Sequence, residues 1–248
     1  MTKKRKVLAF GVEPNHAKYR LRVARYPALA KAICRFVHHS PQKNKLSLLD
    51  IGVGYGRTFR YVSAEKVEDK IDWHGIDIRR IPQDKLAGAD AYNIKLANIA
   101  DGLPYKDDSF DIIVAEQILE HLKDPAFAVS EISRVARPGA LVIIGVPIFV
   151  SWFTSLRNLY IKYFPGIFKW SGSDHHQTFS LDTIRQLLLE HGDFVEKEVR
   201  GFRILSGGIL RPLENYHWWY KFQGNLGKKF PRITVEVQFC LQQPGYNT

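Results

Sequence analysis

From residue 46 onward, short apolar runs alternate with stretches whose apolar residues recur at helical spacing. That rhythm argues for a parallel sheet with crossover helices. The strand-like runs are 46–51, 72–77, 92–97, 111–115, 140–146, 194–200 and 233–241, and helices fit between most of them, near 55–65, 79–86, 125–137 and 180–191. Ser180 stands at the cap of the last helix, with Thr183 where a full capping box carries Glu or Gln, so the capping signal is partial. Seven such strands predict a doubly wound α/β sheet. At 248 residues and 45% hydrophobic, the chain suits one α/β domain with embellishments better than two independent domains.

The embellishments are three. Residues 1–45 read as a basic helical N-terminal extension to the domain at 46–248, with Pro27 starting a helix through ALAKAICRFVHH. Residues 19–23 alternate basic and apolar side chains, a period that leaves strand and short helix open. Insertions at 147–179 and 201–232 break the strand–helix rhythm and are rich in aromatics, among them Trp152, Trp170, Trp218 and Trp219.

The net charge of +11 is concentrated at one end. The first 45 residues hold twelve Lys or Arg against one acid, Glu13, and the rest is balanced at 24 of each. Such an arm suits nucleic acid, anionic lipid head groups or a phosphorylated substrate, or is simply a solvated helix face. Cys34 and Cys240 are too few for a disulfide framework and lack metal-ligand spacing. No run reaches the length of a membrane span, and MTKKRKVLAF lacks the apolar core of a signal peptide, so the expected location is cytoplasmic.

The stretch LLDIGVGYGR, residues 48–57, runs a buried strand into Gly52, Gly54 and Gly56. Glycines there let the backbone turn tightly and approach a ligand. The spacing is G-x-G-x-G rather than the dinucleotide G-x-G-x-x-G, and no Lys-Ser or Lys-Thr follows as in a P-loop. Asp77 ends the second strand, 21 residues beyond Gly56, where a carboxylate can accept both hydroxyls of a ribose. The competing role for Asp77 is to cap a helix beginning near Arg79.

LLDIGVGYGR, then GIDI, ANIADGLPYKDDSFDIIVAEQILEHLKDP and EISRVARPGALVIIGVP, resemble in order and spacing the class I S-adenosylmethionine-dependent methyltransferases, especially the type 11 group, over residues 46–147. The resemblance implies a Rossmann-like, mostly parallel seven-stranded sheet with helices on both faces and an antiparallel last strand, and S-adenosylmethionine as cofactor. It implies that Asp50, Gly52, Gly54 and Gly56 line the methionine end, with Arg57 adding charge. Asp77 would hold the ribose, with Ile78 beside the adenine. Asn98 stands where the family usually has Asp, at the adenine amino group, with Ile99 alongside. Glu116 and Gln117 would face the reactive end.

Methyl transfer from a sulfonium needs alignment, exclusion of water and sometimes removal of a proton, a task suited to histidine near neutral pH. The candidates are His175 and His176 in SGSDHHQTFS, and His121 in LEHLKDP, whose structural alternative is a hydrogen bond to backbone. The aromatic insertions suit an apolar acceptor pocket, a membrane-interface contact, or ordinary packing of an extra helical layer. The acceptor is expected to be small, glycan-like or lipid-linked. RNA bound through the basic arm, and cofactor binding without turnover, are the alternatives.

Overall fold

The computed structural model describes residues 8–9, 12–14, 20–41, 44–148, 177–204, 210, 213–214 and 216–245. Strands β1 (Leu46–Ile51), β2 (Ile71–Asp77), β3 (Tyr92–Leu96), β4 (Phe110–Glu116), β5 (Ala136–Pro147), β6 (Val195–Phe202) and β7 (Glu236–Gln242) form one sheet in the order β3-β2-β1-β4-β5-β7-β6. The first five run parallel, while β7 pairs antiparallel with both β5 and β6. The strand positions expected from the sequence hold, with ends displaced by a few residues. A two-residue ladder joins Leu8–Ala9 to Glu13–Pro14.

Each central strand is apolar on both faces because helices cover both. Leu48, Ile112, Val114, Ile143 and Cys240 face α1 (Arg25–His39) and α2 (Arg57–Ser63). Their neighbours Leu49, Ile113, Val142, Ile144 and Phe239 face α3 (Pro125–Val135) and α4 (Leu181–Gly192). Helix α1 is therefore part of the core: Leu29 and Ile33 have no exposed surface, and burying each contributes about 1.5–3 kcal/mol. Residues Arg20–Val23, undecided from their period, form a 3₁₀ turn leading into it.

Local chemistry sets the helix starts. Asp124 accepts the Phe127 amide at 3.0 Å with Pro125 in the first turn, and opens α3. At α4 the partial signal is completed by Thr183: its amide donates to Ser180 Oγ (3.2 Å), and its own hydroxyl oxygen accepts the Ser180 amide (2.8 Å). The helix expected at 79–86 does not form. Pro82 disfavours helical backbone at Ile81, and the chain makes only a 3₁₀ turn at Gln83–Lys85.

Helix α5 (His217–Lys229) lies within the second aromatic insertion and packs on β6. Trp219 joins Leu21, Ala24 and Phe202 in a small separate core. No helix among the described residues is long and apolar enough to cross a membrane.

The sheet register brings one set of residues to a common edge. Asp77 lies beside Leu96, Glu116 beside Gly145, and Glu236 beside both Pro147 and Phe202. This is the carboxyl edge of the parallel strands, where ligands of open α/β sheets bind. A hollow of about 370 Å³ lined by Phe36, Leu46, Asp111, Gly139 and Gln242 opens at the opposite edge, away from these residues.

Candidate active site

The turn after β1 is built by left-handed backbone. Gly52, Gly54 and Gly56 have φ of 76°, 53° and 71°, a region where a side chain is costly. Space adds to conformation at two of them. A Cβ on Gly52 would lie 2.3 Å from Ile118 Cδ1, and one on Gly56 would lie 2.3 Å from the Ala87 carbonyl oxygen. A Cβ on Gly54 would meet nothing nearer than 3.9 Å, so this glycine faces open space at the strand ends. The amides of Gly52 and Val53 donate to the Ile76 carbonyl at 2.8 and 3.2 Å, fixing the turn against β2.

Asp50 supports this turn from beneath. It is buried and accepts the Tyr92 hydroxyl at 2.8 Å; Thr58 also bonds it, and burial pushes its carboxyl up to about 6 against these bonds. Arg57 begins α2, its guanidinium 5.9 Å from the Tyr26 ring.

Asp77 is gripped on both oxygens. The Gly54 amide donates to Oδ2 and the Arg79 amide to Oδ1, each at 3.0 Å. With no helix following, the second bond is a local turn rather than a helix cap, and each oxygen retains a lone pair for a further donor. Ile78 and Leu96 leave the ends of β2 and β3 with 67% and 59% of their surface exposed. Asn98 directs its amide oxygen to the Ala100 N–H at 3.1 Å, and Ile99 is buried beneath it.

At the end of β4 the residues meet partners the local sequence does not announce. Glu116, the residue expected at the cofactor's reactive end, has its carboxylate 2.9 Å from Arg25 Nε and accepts Gln238 Nε2 at 2.5 Å. Arg25 also contacts Glu236 at 2.9 Å, and Arg203 reaches Glu236 at 2.5 Å. Arg25 thus belongs to the interior and not to a basic surface. Burial outweighs Arg25 and pushes the Glu116 carboxyl up to about 7. Glu120, 1% exposed, feels Arg25, Glu116 and Glu236, and burial pushes it up to about 8.

The cluster is polar, strained and incompletely paired. Gln117 and Arg203 have φ of 59° and 65°, uncommon for residues with side chains. Buried Glu120 Oε2, Gln117 Nε2, Gln238 Oε1 and Arg203 Nε make no hydrogen bond. Such atoms are uncommon in a folded interior, where most polar groups are paired. Sequence reading missed Arg25, Glu120, Arg203, Glu236 and Gln238. The nearest signal in the sequence is Glu120, the acid beside His121 in LEHLKDP.

His121 is exposed, and its amide closes the short turn Leu119–His121 on the Ile118 carbonyl at 3.0 Å. His175, His176, Trp152 and Trp170 lie outside the described residues.

These features fit an adenosyl ligand with an amino-acid tail. Gly54 leaves room for close approach, Asp77 keeps acceptor capacity for two hydroxyls, and Ile78 with Leu96 offers apolar surface at the sheet edge.

Comparison with known proteins agrees. Residues 49–144 match the family model described as a methyltransferase domain. The chain is 36% identical over 111 residues to ajmaline N-methyltransferase of Rauvolfia serpentina, covering 42% of this chain and 37% of that protein. It is 30% identical over 106 residues to the chloroplastic tocopherol O-methyltransferase of Arabidopsis thaliana, covering 42% and 30%. The matches therefore span well under half the length of these relatives. In fold, it resembles an S-adenosylmethionine-dependent methyltransferase from Mesorhizobium loti, with a TM-score of 0.55 at 16% identity over 88% of this chain and 97% of that one. Strand order, glycine turn and family match converge: residues 49–144 match the methyltransferase-domain family model, and the chain has the fold of class I S-adenosylmethionine-dependent methyltransferases.

Proposed function

We propose that this chain is an enzyme transferring a methyl group from S-adenosylmethionine to a small-molecule acceptor. The observation that carries the reading is Asp77, fixed by the Gly54 and Arg79 amides beside a left-handed glycine turn. Asp77 would hold the ribose hydroxyls, the Gly52–Gly56 turn would back the methionine portion, and Ile78, Asn98 and Ile99 would border the adenine. The bound cofactor supplies an electrophilic methyl on a sulfonium.

The chain's own residues then have to orient the acceptor, exclude water and take up a proton where the nucleophile carries one. The buried Glu120 carboxyl, shifted toward neutral pH, suits proton exchange with a polar acceptor. His175, His176 and His121 stay as further candidates.

Named relatives include an N-methyltransferase and an O-methyltransferase of small molecules, which supports a small acceptor methylated on nitrogen or oxygen. A glycan-like or lipid-linked acceptor is the finer form of the same reading. RNA loses support because Arg25, one of the basic residues that prompted it, is buried in ion pairs.

The test is titration calorimetry with S-adenosylmethionine, followed by a methyl-transfer assay over small amines, phenols and lipid-linked sugars. Binding that Asp77→Ala weakens by on the order of 100-fold, with turnover on one class, supports the reading. Tight binding with no turnover on any class would make the chain a cofactor-binding protein instead.

A further inference from the structure

Helix α5 carries aromatic side chains on the face that a surface helix usually gives to polar residues. Its inner face is filled by Trp219, Gln223 and Gly227, four residues apart and all buried. A Cβ on Gly227 would lie 2.0 Å from the Gly201 carbonyl oxygen, so the helix is seated backbone to backbone on β6. Trp218 and Phe222 touch the Trp219 ring, edge-on at 5.5 Å and stacked at 5.6 Å, yet each leaves about half its surface to solvent.

The outer face nonetheless presents Trp218, Phe222, Asn225 and Lys229 in one stripe, with Trp218 and Phe222 exposed by 56% and 46%. Lys221 and Lys228 flank the stripe, and the sequence HWWYKFQGNLGKK contains no acid. Lys228 keeps a loose contact with Glu198 at 3.5 Å while more than half exposed. Just beyond the helix Phe230, whose ring lies 5.5 Å from Lys229 Nζ, and Ile233 are exposed as well.

We propose that this outer face of α5 docks on an anionic lipid bilayer. Trp and Phe on a helix rich in lysine and free of acid match the chemistry of an interface, where rings enter the head-group boundary and ammonium groups meet lipid phosphates. A protein partner would have to leave the lysines facing its own acids, whereas a bilayer accepts rings and cations together. RNA would use the lysines, but it gives no reason for apolar Phe230 and Ile233 to stand exposed in the segment that follows them. The face stands independently of methyl transfer. It adjoins the candidate site through Trp219, which packs on Phe202 beside Glu236, and would bring an acceptor carried in a membrane to the cluster of Arg25 and Glu120.

The experiment is co-sedimentation of the full chain with phosphatidylcholine vesicles, with and without phosphatidylglycerol, alongside binding to single-stranded RNA. Trp218→Ala/Phe222→Ala and Lys221→Glu/Lys228→Glu are compared with the parent, with Tm confirming that each is folded. The parent should bind anionic vesicles far better than neutral ones. The aromatic pair should lower vesicle partitioning by at least about tenfold, and the lysine pair by roughly 30-fold or more. Absence of vesicle binding, binding unchanged in either folded variant, or capture of RNA in preference to vesicles would each overturn the proposal. If one variant misfolds, the other decides alone.

Discussion

At the scale of single residues, Asp77 and Glu120 are buried carboxylates with opposite circumstances. Asp77 receives two backbone N–H groups and stays available to further donors. Asp77→Ala should weaken S-adenosylmethionine binding by on the order of 100-fold, since each hydrogen bond to a charged group is worth about 1.5–3 kcal/mol. Calorimetry measures this directly, and an unchanged Kd would remove Asp77 from the ribose site. Glu120 instead has an oxygen without a partner, and burial raises its carboxyl to about 8. Its folded value exceeds the unfolded one, so the folded state holds the proton more tightly. Stability from this group is complete below about pH 4.5 and is lost as pH rises toward about 8. Glu120→Gln should therefore match the parent near pH 4.5 and exceed it at pH 8, by on the order of 2–3 kcal/mol in denaturant melts. A constant difference across that range would rule out the buried titration. Asp77 was legible in the sequence because strand, turn and acid are neighbours along the chain. The significance of Glu120 was not, because its environment comes from Arg25, Glu116 and Glu236, far away in sequence.

At the scale of elements, the turn from β1 into α2 separates two effects of glycine. Gly56→Ala meets both the left-handed backbone and the Ala87 carbonyl at 2.3 Å, and backbone atoms have little freedom to retreat. Gly54→Ala has the backbone penalty alone, about 1–2 kcal/mol, with open space before it. Gly56→Ala should lower Tm by clearly more than Gly54→Ala, whereas Gly54→Ala should lose cofactor affinity out of proportion to its modest destabilisation. Thermal melts and calorimetry on the same pair check this; equal Tm losses, or Gly54→Ala binding normally, would contradict a ligand lying against Gly54. Sequence reading found this turn, the seven strands of the sheet and four of the five α-helices among the described residues, because apolar period and punctuation are local signals. The helix it placed at 79–86 was undone by one proline, and the full cap of α4 was underread because a threonine hydroxyl replaced the expected Glu or Gln.

At the scale of the whole molecule, Arg25 ties the N-terminal region to the carboxyl edge of the sheet. It bridges Glu116 on β4 and Glu236 on β7, 91 and 211 positions along the chain, and Arg203 closes the network from just beyond β6. No sequence window contains such a set, and Arg25 was therefore counted with the basic extension. Removing one member of a buried ion network leaves its partners desolvated and uncompensated, at a cost of about 3–5 kcal/mol. Arg25→Ala should lower Tm by roughly 6 °C or more. The loss should be largest at pH 8, where the Glu116 carboxylate is forced to carry its charge, and smaller near pH 5, where burial keeps that carboxyl protonated. Arg25→Ala/Glu116→Gln should recover part of the loss, because it removes one of the stranded charges. Surface charges would behave otherwise: Lys31→Ala, on the exposed side of the same helix, should change Tm little at any pH. If Arg25→Ala resembled Lys31→Ala, the ion network would not join helix to sheet. If the double variant were worse than the single at pH 8, Glu116 would be stabilised by something other than its pairing with Arg25.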